Sequence, residues 1–161
     1  MNFEHKIVPL ASLDSLPKTP EKKVVLVGGC FDIFHYGHHI FLQKARSAGD
    51  KLIVLLESDE YIASVKKKQP VHTQQQRSEI LAALEYVDLV VLLPYFNDPN
   101  EDYRVIVEKI KPQIIAYTSG DRQVRRKKEF AQMVHGTTYE VPYLSSFSSS
   151  QLITYAPIFR D

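Results

Sequence analysis

Cysteine is nearly absent from this chain, which has one among its 161 residues. A single cysteine excludes an internal disulfide framework and is typical of a reducing compartment, so we expect a cytoplasmic protein. No apolar run approaches the roughly 18 residues that span a membrane, and the N-terminal sequence lacks the apolar core of a signal peptide. The net charge is only +1, so no overall field recruits nucleic acid or an acidic membrane.

Several motifs that define common enzyme classes are also missing. The chain has no Gly-x-x-x-x-Gly-Lys-Ser/Thr, which argues against a P-loop enzyme, and no Gly-x-Gly-x-x-Gly, which argues against a dinucleotide dehydrogenase. Four histidines have no metal-ligand spacing with a second ligand type: His5, His39, His72 and His135. We therefore expect no protein metal site.

What the chain does contain is a regular alternation of apolar runs and amphipathic stretches. Five short runs, rich in leucine and β-branched residues and without polar alternation, are typical of buried parallel strands: 24–27, 52–56, 89–93, 114–117 and 139–141. The intervening helical patterns end at Gly49, cover about 74–86, run from Pro99 to a stop at Pro112, cover 121–134, and resume at 151–155.

This alternation predicts one α/β domain, residues 23–161. Its fold is expected to be Rossmann-like and doubly wound, with a five-stranded parallel sheet and helices on both faces. Residues 1–22, with three prolines, are interpreted as an N-terminal extension with at most a short helix.

The most informative segment is VVLVGGCFDIFHYGH, residues 24–38. The apolar run stops at two glycines, and His35, Gly37 and His38 follow after a brief turn. Gly37 lets the backbone pass close to a ligand, and the two imidazoles fall on one side of the opening turn of the next helix. That helix presents unpaired N–H groups and its positive dipole end to the same place. These features predict a nucleoside triphosphate site beyond the first strand.

The same segment, extended to residue 54, closely resembles the opening of the cytidylyltransferase-like nucleotidyltransferases. Further matches follow in order: SDEYIASVKKKQPV, QQQRSEILAALEYVDLVVLL, SGD at 119–121 and FSSSQL at 147–152. KIVPLASLDSL, before the first strand, is similar to the lead-in of ADP-heptose synthase domains. The resemblance covers most of the chain, and the combination of motifs is specific.

The resemblance implies attack by a substrate phosphate on the α-phosphorus of ATP or CTP, with release of pyrophosphate. His35 and His38 would donate hydrogen bonds to the α-phosphate and the bridging oxygen, where charge builds up in the transition state. Lys66 is favoured among the lysines 66–68 to neutralise phosphate; the alternative for this run is a solvated surface turn. Mg²⁺ is expected with the triphosphate, because it neutralises developing charge.

The resemblance also implies a set of nucleotide-binding residues. They are Gly28, Gly29, Cys30, Phe31, Asp32 and Gly37 at the first turn, Gly120 and Asp121 beside the base and ribose, and Ser148, Ser149 and Ser150 at the β- and γ-phosphates. Taken alone, the serines would be an ordinary loop, Cys30 a space-filling residue, and the histidines a helix cap.

Four arginines have competing interpretations. Arg77 is interpreted as structural, paired with a carboxylate on its own helix. Arg122, Arg125 and Arg126 lie on one predicted helical face, which is either solvated or in contact with nucleotide or partner.

The acceptor is expected to be a sugar or alditol phosphate, by resemblance to ADP-heptose synthase and the cytidylyltransferases. The alternatives are flavin mononucleotide, which would make the protein an adenylyltransferase of FAD synthesis, and a non-catalytic nucleotide-binding module of the same fold. Residues 142–147 lack the arginine found in glycerol-3-phosphate cytidylyltransferases, which favours ATP over CTP. A homodimer is also expected by resemblance.

Overall fold

The computed structural model describes residues 3–15 and 21–144. Within them, six strands are present: β1 (Ile7–Pro9), β2 (Val24–Gly29), β3 (Lys51–Leu56), β4 (Leu89–Leu92), β5 (Ile114–Thr118) and β6 (Thr137–Val141). The α-helices of this part are α1 (Tyr36–Ser47), α2 (Asp59–Val65), α3 (Gln74–Ala82), α4 (Pro99–Ile110) and α5 (Val124–Met133). Two short 3₁₀ helices, Glu4–Lys6 and Leu10–Ser15, flank β1.

The strands form one parallel sheet in the order β1-β4-β3-β2-β5-β6. From β2 the chain moves outward through β3 to β4, then returns to the other side of β2 and continues through β5 to β6. Strand order therefore reverses at β2 and β5. In open α/β sheets, ligands bind beyond the carboxyl ends of the strands at this switch point.

The predicted α/β class and the parallel sheet are confirmed, but the strand count of five is wrong. The additional strand comes from the N-terminal extension, where Ile7 and Val8 pair with Val90 and Val91 of β4. The expectation of at most a short helix in residues 1–22 is therefore also wrong. A strand of three residues ending in proline is too short to leave a periodic signal, and its pairing covers the edge of the buried β4.

Helices cover both faces of the sheet, as predicted. Alternate residues of β2 point to opposite faces: Val25 and Val27 pack with Leu42 of α1, whereas Leu26 packs with Val107 of α4. The buried residues of α1 are Phe41, Leu42 and Ala45. None of the helices in the described ranges is long and apolar enough to span a membrane.

The end of α1 corrects the expectation for Gly49. The helix ends at Ser47, and Ala48 occupies the C-cap in right-handed conformation. Gly49 follows, and a Cβ there would lie 2.6 Å from the Lys23 carbonyl oxygen. Glycine is therefore required at this position by the close approach of the chain before β2.

Other helix bounds differ from the expected ones in detail. The pattern at 74–86 gives a shorter helix that ends at Ala82, where Leu81 is fully buried and Ile80 is 36% exposed. The pattern at 121–134 becomes α5, which begins only at Val124. Helix α2 was not predicted, and the predicted helix at 151–155 lies outside the described residues.

Candidate active site

The turn between β2 and α1 brings the two motif histidines together. His35 is the N-cap of α1, and its Nδ1 accepts a hydrogen bond from the backbone N–H of His38 at 3.4 Å. The two imidazole rings stack with their centroids 3.7 Å apart. Both rings therefore lie at the positive end of the α1 dipole, beside the carboxyl end of β2.

Burial keeps both imidazoles neutral at pH 7. Desolvation, with a smaller effect of the neighbouring His35 ring, lowers the pKa of His38 to about 3. Desolvation also lowers the pKa of His35. A neutral ring has one N–H, and because Nδ1 of His35 accepts a hydrogen bond, we assign the proton of His35 to Nε2. Nε2 of His35 is then a hydrogen-bond donor.

His38 also lies against aromatic rings. Phe31 meets it edge-on with a centroid distance of 5.0 Å, and Phe34 lies at 5.8 Å. The Nδ1 of His38 is buried and makes no hydrogen bond of acceptable geometry to a described residue. The ring is thus held by packing at the helix start, with polar capacity left for a ligand.

A cavity of about 680 Å³ opens beyond the carboxyl ends of β2, β3 and β5. Five of the predicted site residues line it: Gly28, Gly29, Cys30, Lys66 and Asp121. The other predicted residues of the described ranges are not among its lining residues: His35, His38, Phe31, Asp32, Gly37 and Gly120. Ser148, Ser149 and Ser150 lie outside the described residues.

The two glycines that end β2 differ in how much room each leaves for a side chain. A Cβ on Gly28 would find its nearest neighbour 3.9 Å away, so packing leaves room for a side chain on this cavity wall. A Cβ on Gly29 would lie 2.9 Å from the Phe31 ring. Phe31 itself is 5% exposed and has a left-handed φ of 47°. Gly29 and Phe31 therefore shape the turn, whereas Gly28 leaves the cavity wall open.

Asp32 is turned toward the segment between α2 and α3. Its carboxylate accepts hydrogen bonds from the backbone N–H groups of Val71 (2.8 Å) and His72 (3.2 Å), and from Lys68 (3.3 Å). Burial opposes ionisation, but these donors outweigh it and lower the pKa of Asp32. Lys68 is thus held by Asp32, while Lys66 lines the cavity.

A cluster of cations surrounds the cavity. Lys127 forms an ion pair with Asp121 at 2.5 Å. Burial opposes ionisation of Asp121, but Lys127 and the backbone N–H of Gln123 together outweigh it and lower the pKa of Asp121. Arg126 donates to the side-chain amide oxygen of Asn100. In the described part of the chain, neither Arg122 nor Lys66 has an ion-pair partner. Positive charge is thus available for an anionic ligand.

The three arginines expected on one face behave differently. Arg122 precedes α5 and lines the cavity, as Arg126 does. Arg125 is 92% exposed and pairs with Glu129 on its own helix. The ligand-contact interpretation thus agrees with the positions of Arg122 and Arg126, and the solvated interpretation with Arg125.

Arg77 is structural, as expected, but its carboxylate partner is on another helix. It is fully buried and donates to Asp59 of α2 at 2.7 Å. It also donates to the carbonyl oxygens of Cys30 (2.5 Å), Glu57 (2.8 Å) and His72 (3.2 Å). One guanidinium therefore joins the ends of β2 and β3 to the start of α3, which fixes the cavity floor.

Glu57 and Tyr103 are cavity residues that sequence reasoning missed. Glu57 directly follows β3 and is 7% exposed, and the Tyr103 hydroxyl donates to its carboxylate. Desolvation raises the pKa of Glu57, and the hydrogen bond from Tyr103 only partly offsets this. The available signal was an acidic residue closing the apolar run KLIVLL, at the edge where ligands bind.

Comparison with known proteins gives a consistent picture. A family described as cytidylyltransferase-like matches residues 26–145. FAD synthase of Thermococcus onnurineus is 39% identical over 134 residues, covering 80% of this chain and 86% of that protein. The bifunctional protein HldE of Campylobacter concisus is 38% identical over 116 residues, covering 71% of this chain. This chain spans about a quarter (24%) of that bifunctional protein.

Solved structures show the same fold at lower identity. The lipopolysaccharide core biosynthesis protein of Thermoplasma volcanium superposes with a TM-score of 0.61 at 24% identity, covering 76% of this chain and 97% of that chain. Pantoate-beta-alanine ligase of Francisella tularensis gives 0.64 at 17% identity, covering 94% and 77%. These two likenesses concern the fold alone.

Proposed function

The chain belongs to the cytidylyltransferase-like family and is a nucleotidyltransferase, and from this premise we propose that it transfers AMP from ATP to a phosphorylated small molecule. An oxygen of the acceptor phosphate attacks the α-phosphorus. The bond from that phosphorus to the bridging oxygen breaks, and pyrophosphate leaves with the electron pair. ATP is preferred over CTP because residues 142–147 contain no arginine.

The single observation that supports this reaction best is the stacked pair of neutral histidines at the start of α1. In nucleotidyl transfer, positioning and charge stabilisation dominate, since the protein forms no covalent bond to the substrate. The Nε2–H of His35 and the ring of His38 would donate to the α-phosphate and the bridging oxygen. The positive end of the α1 dipole lies at the same place.

The cavity supports a site for the acceptor. It starts at Gly28–Cys30, next to the histidine pair, and extends toward α2, α4 and α5 without including either histidine. Lys66, Arg122 and Arg126 would bind the acceptor phosphate, because in the described ranges none of them is neutralised by a carboxylate at ion-pair distance. Asp121 would then lie between the acceptor and the nucleoside.

The lining of the cavity favours flavin mononucleotide as a second candidate acceptor beside the sugar and alditol phosphates. Three aromatic side chains, Tyr61, Tyr103 and Phe130, line it together with apolar residues of the strands. Such a lining suits a ring system better than a fully hydroxylated sugar. The match along 86% of a protein named FAD synthase supports the same acceptor, whereas the match to HldE supports a sugar phosphate.

Mg²⁺ would enter with the triphosphate. In the described part of the chain, no group of three or more His, Cys, Asp or Glu side chains is arranged to hold a metal ion. Its ligands would therefore include phosphate oxygens of the nucleotide and water molecules. When bound, it would neutralise charge that develops on the departing pyrophosphate.

Pyrophosphate release tests this function. The protein is incubated with Mg²⁺ and ATP or CTP, with flavin mononucleotide, glycerol phosphate or a panel of sugar phosphates as acceptor. We expect release with ATP and one acceptor class. His38→Ala should lower turnover about 100- to 1,000-fold while the protein stays folded, as for loss of a transition-state donor.

Two results would contradict the proposal. A protein that is stabilised thermally by ATP but releases no pyrophosphate with any acceptor would be a nucleotide-binding module of the same fold. Near-normal turnover by His38→Ala would remove the histidine pair from the mechanism.

A further inference from the structure

One carboxylate in the cavity has no part in the mechanism above. Glu57 lines the cavity at the end of β3. Its backbone is held on both sides: its N–H donates to the Gly29 carbonyl at 3.1 Å, and its own carbonyl accepts from Arg77 at 2.8 Å. The side chain therefore projects from a rigid point of the sheet.

The carboxylate is only partly satisfied by the protein. Tyr103 of α4 donates to Oε1, and the Tyr103 ring is itself supported by an edge-to-face contact with Phe96 at 5.6 Å. In the described ranges, no group donates to Oε2. A carboxylate has about four acceptor positions, and the Tyr103 hydroxyl occupies one of them. Oε2 is thus an acceptor that a ligand can satisfy.

Charge determines which part of an acceptor faces Glu57. A carboxylate repels phosphate, so the phosphate of an acceptor would lie toward Lys66, Arg122 and Arg126. The non-phosphate part then extends over the aromatic side chains that line the cavity, Tyr61, Tyr103 and Phe130, and Tyr103 holds Glu57 there. An N–H or O–H group on that part would meet Oε2.

We propose that Glu57 determines acceptor specificity by accepting a hydrogen bond from an N–H or O–H group on the non-phosphate part of the acceptor. The inference rests on the function proposed above. The hydroxyls of a sugar or alditol phosphate and the ring N–H of flavin mononucleotide share this chemistry. Sites built around such a hydrogen bond discriminate strongly against analogues that lack the donor.

Glu57→Gln tests the inference with little change of shape. The Tyr103 hydroxyl still donates to the side-chain oxygen, so the NH₂ group turns toward the cavity and meets the donor of the acceptor. We expect kcat/KM for the acceptor to fall about 10- to 100-fold, the effect of losing a hydrogen bond to a charged group. The loss should appear mainly in KM, since binding of the acceptor is affected.

Glu60→Gln is the matched control. It makes the same charge change three residues away, on the exposed side of α2 and outside the cavity lining. Kinetics of both variants are measured with whichever of flavin mononucleotide, glycerol phosphate or the sugar phosphates the wild type uses. Thermal stabilisation by ATP with Mg²⁺ is measured in parallel and should be the same in all three proteins.

The outcomes distinguish the role of Glu57 from the proposed function. A raised KM for the acceptor in Glu57→Gln alone, with unchanged stabilisation by ATP, supports the specificity role. Equal acceptor kinetics in wild type and Glu57→Gln would overturn it and leave the nucleotidyltransferase function standing. No pyrophosphate from the wild type with any acceptor would overturn the proposed function, and the role of Glu57 with it.

Discussion

At the scale of single residues, the site depends on side chains whose ionisation is set by burial. His38 is kept neutral by desolvation, with Phe31 and Phe34 beside it and His35 stacked on it. Burial disfavours the charged form of both groups, so it raises the pKa of Glu57 where it lowers that of His38. A neutral imidazole still has one N–H, with which it can donate a hydrogen bond to phosphate.

The lowered pKa of His38 predicts a specific pH dependence of stability. The unfolded chain binds a proton at this residue near pH 6.5, whereas the folded protein does so only near pH 3. The contribution is fully present above pH 6.5 and is lost as the pH falls toward 3, at no more than about 1.4 kcal/mol per pH unit. Urea unfolding of wild type and His38→Gln across this range measures it.

The variant should show the shallower loss of unfolding free energy on acidification. Other groups, such as Asp32, titrate in both proteins and cancel in the difference. Parallel pH profiles for the two proteins would show that His38 is not held neutral by the fold.

Gly28 offers a second test at this scale. Its Cβ position is open, so Gly28→Ala should keep the thermal stability of the wild type. The added methyl group would stand on the cavity wall and weaken binding of a ligand that approaches the backbone there, by about tenfold or more. The melting temperature is measured without ligand, with ATP and Mg²⁺, and with the acceptor.

Gly29→Ala is the paired variant. Its Cβ would lie 2.9 Å from the Phe31 ring, so this protein should be destabilised. Wild-type ligand affinity in Gly28→Ala would show that no ligand passes close to that wall.

Residue roles were only partly predictable from sequence. The spacing of His35 and His38 placed both rings at one helix start, because three-residue spacing is a local property of helices. The carboxylate partner of Arg77 and the position of Glu57 at the cavity depend on which strands become neighbours, and local patterns contain no such information.

At the scale of elements, the long side chain of Arg77 links strands and helices that are separate in sequence. It is fully buried, and its four partners lie after β2, after β3, on α2 and before α3. Removing the Arg77 side chain would leave three carbonyl groups near the cavity without their hydrogen-bond donor. Such losses are expensive because buried polar groups have no water to replace the partner.

We therefore expect Arg77→Ala to lower the free energy of unfolding by about 3 kcal/mol or more, at about 1 kcal/mol or more for each of the three carbonyl groups left without a donor. Arg125→Ala should lower it by no more than about 1 kcal/mol, because Arg125 is an exposed member of a helical ion pair. Urea denaturation of the two variants makes the comparison. Equal changes would show that the buried arginine does not hold the strand ends together.

The elements themselves were predicted where periodicity is long enough. The five longer strands and α4, which begins at Pro99 and ends before Pro112, follow from apolar runs and from proline placement. β1 and α2 were missed because three and seven residues give too little periodic signal. Gly49 was misassigned because a close contact with Lys23, remote in sequence, requires glycine there.

At the scale of the whole molecule, topology brings the parts of the site together. Reversal of strand order at β2 and β5 opens the edge where the histidine pair, the cavity and the cations of α5 meet. The polar residues of this edge come from segments far apart in sequence. Because the parallel strands all end at the same edge of the sheet, motifs that are far apart along the chain come together in one compact site.

Association is a further property at this scale, and the homodimer stays a prediction. Light scattering would give about 37 kDa for two chains of 18.5 kDa each. A mass of 18.5 kDa at working concentrations would contradict it.

The most direct test of the central claim follows the α-phosphorus of ATP. The protein is given Mg²⁺, the acceptor panel and ATP labelled either at the α- or at the γ-phosphorus. Nucleotidyl transfer predicts that the α-label joins the acceptor and that the γ-label leaves in pyrophosphate, with both processes about 100- to 1,000-fold slower in His38→Ala. Transfer of the γ-label to the acceptor with formation of ADP, or retention of both labels in ATP, would contradict the account.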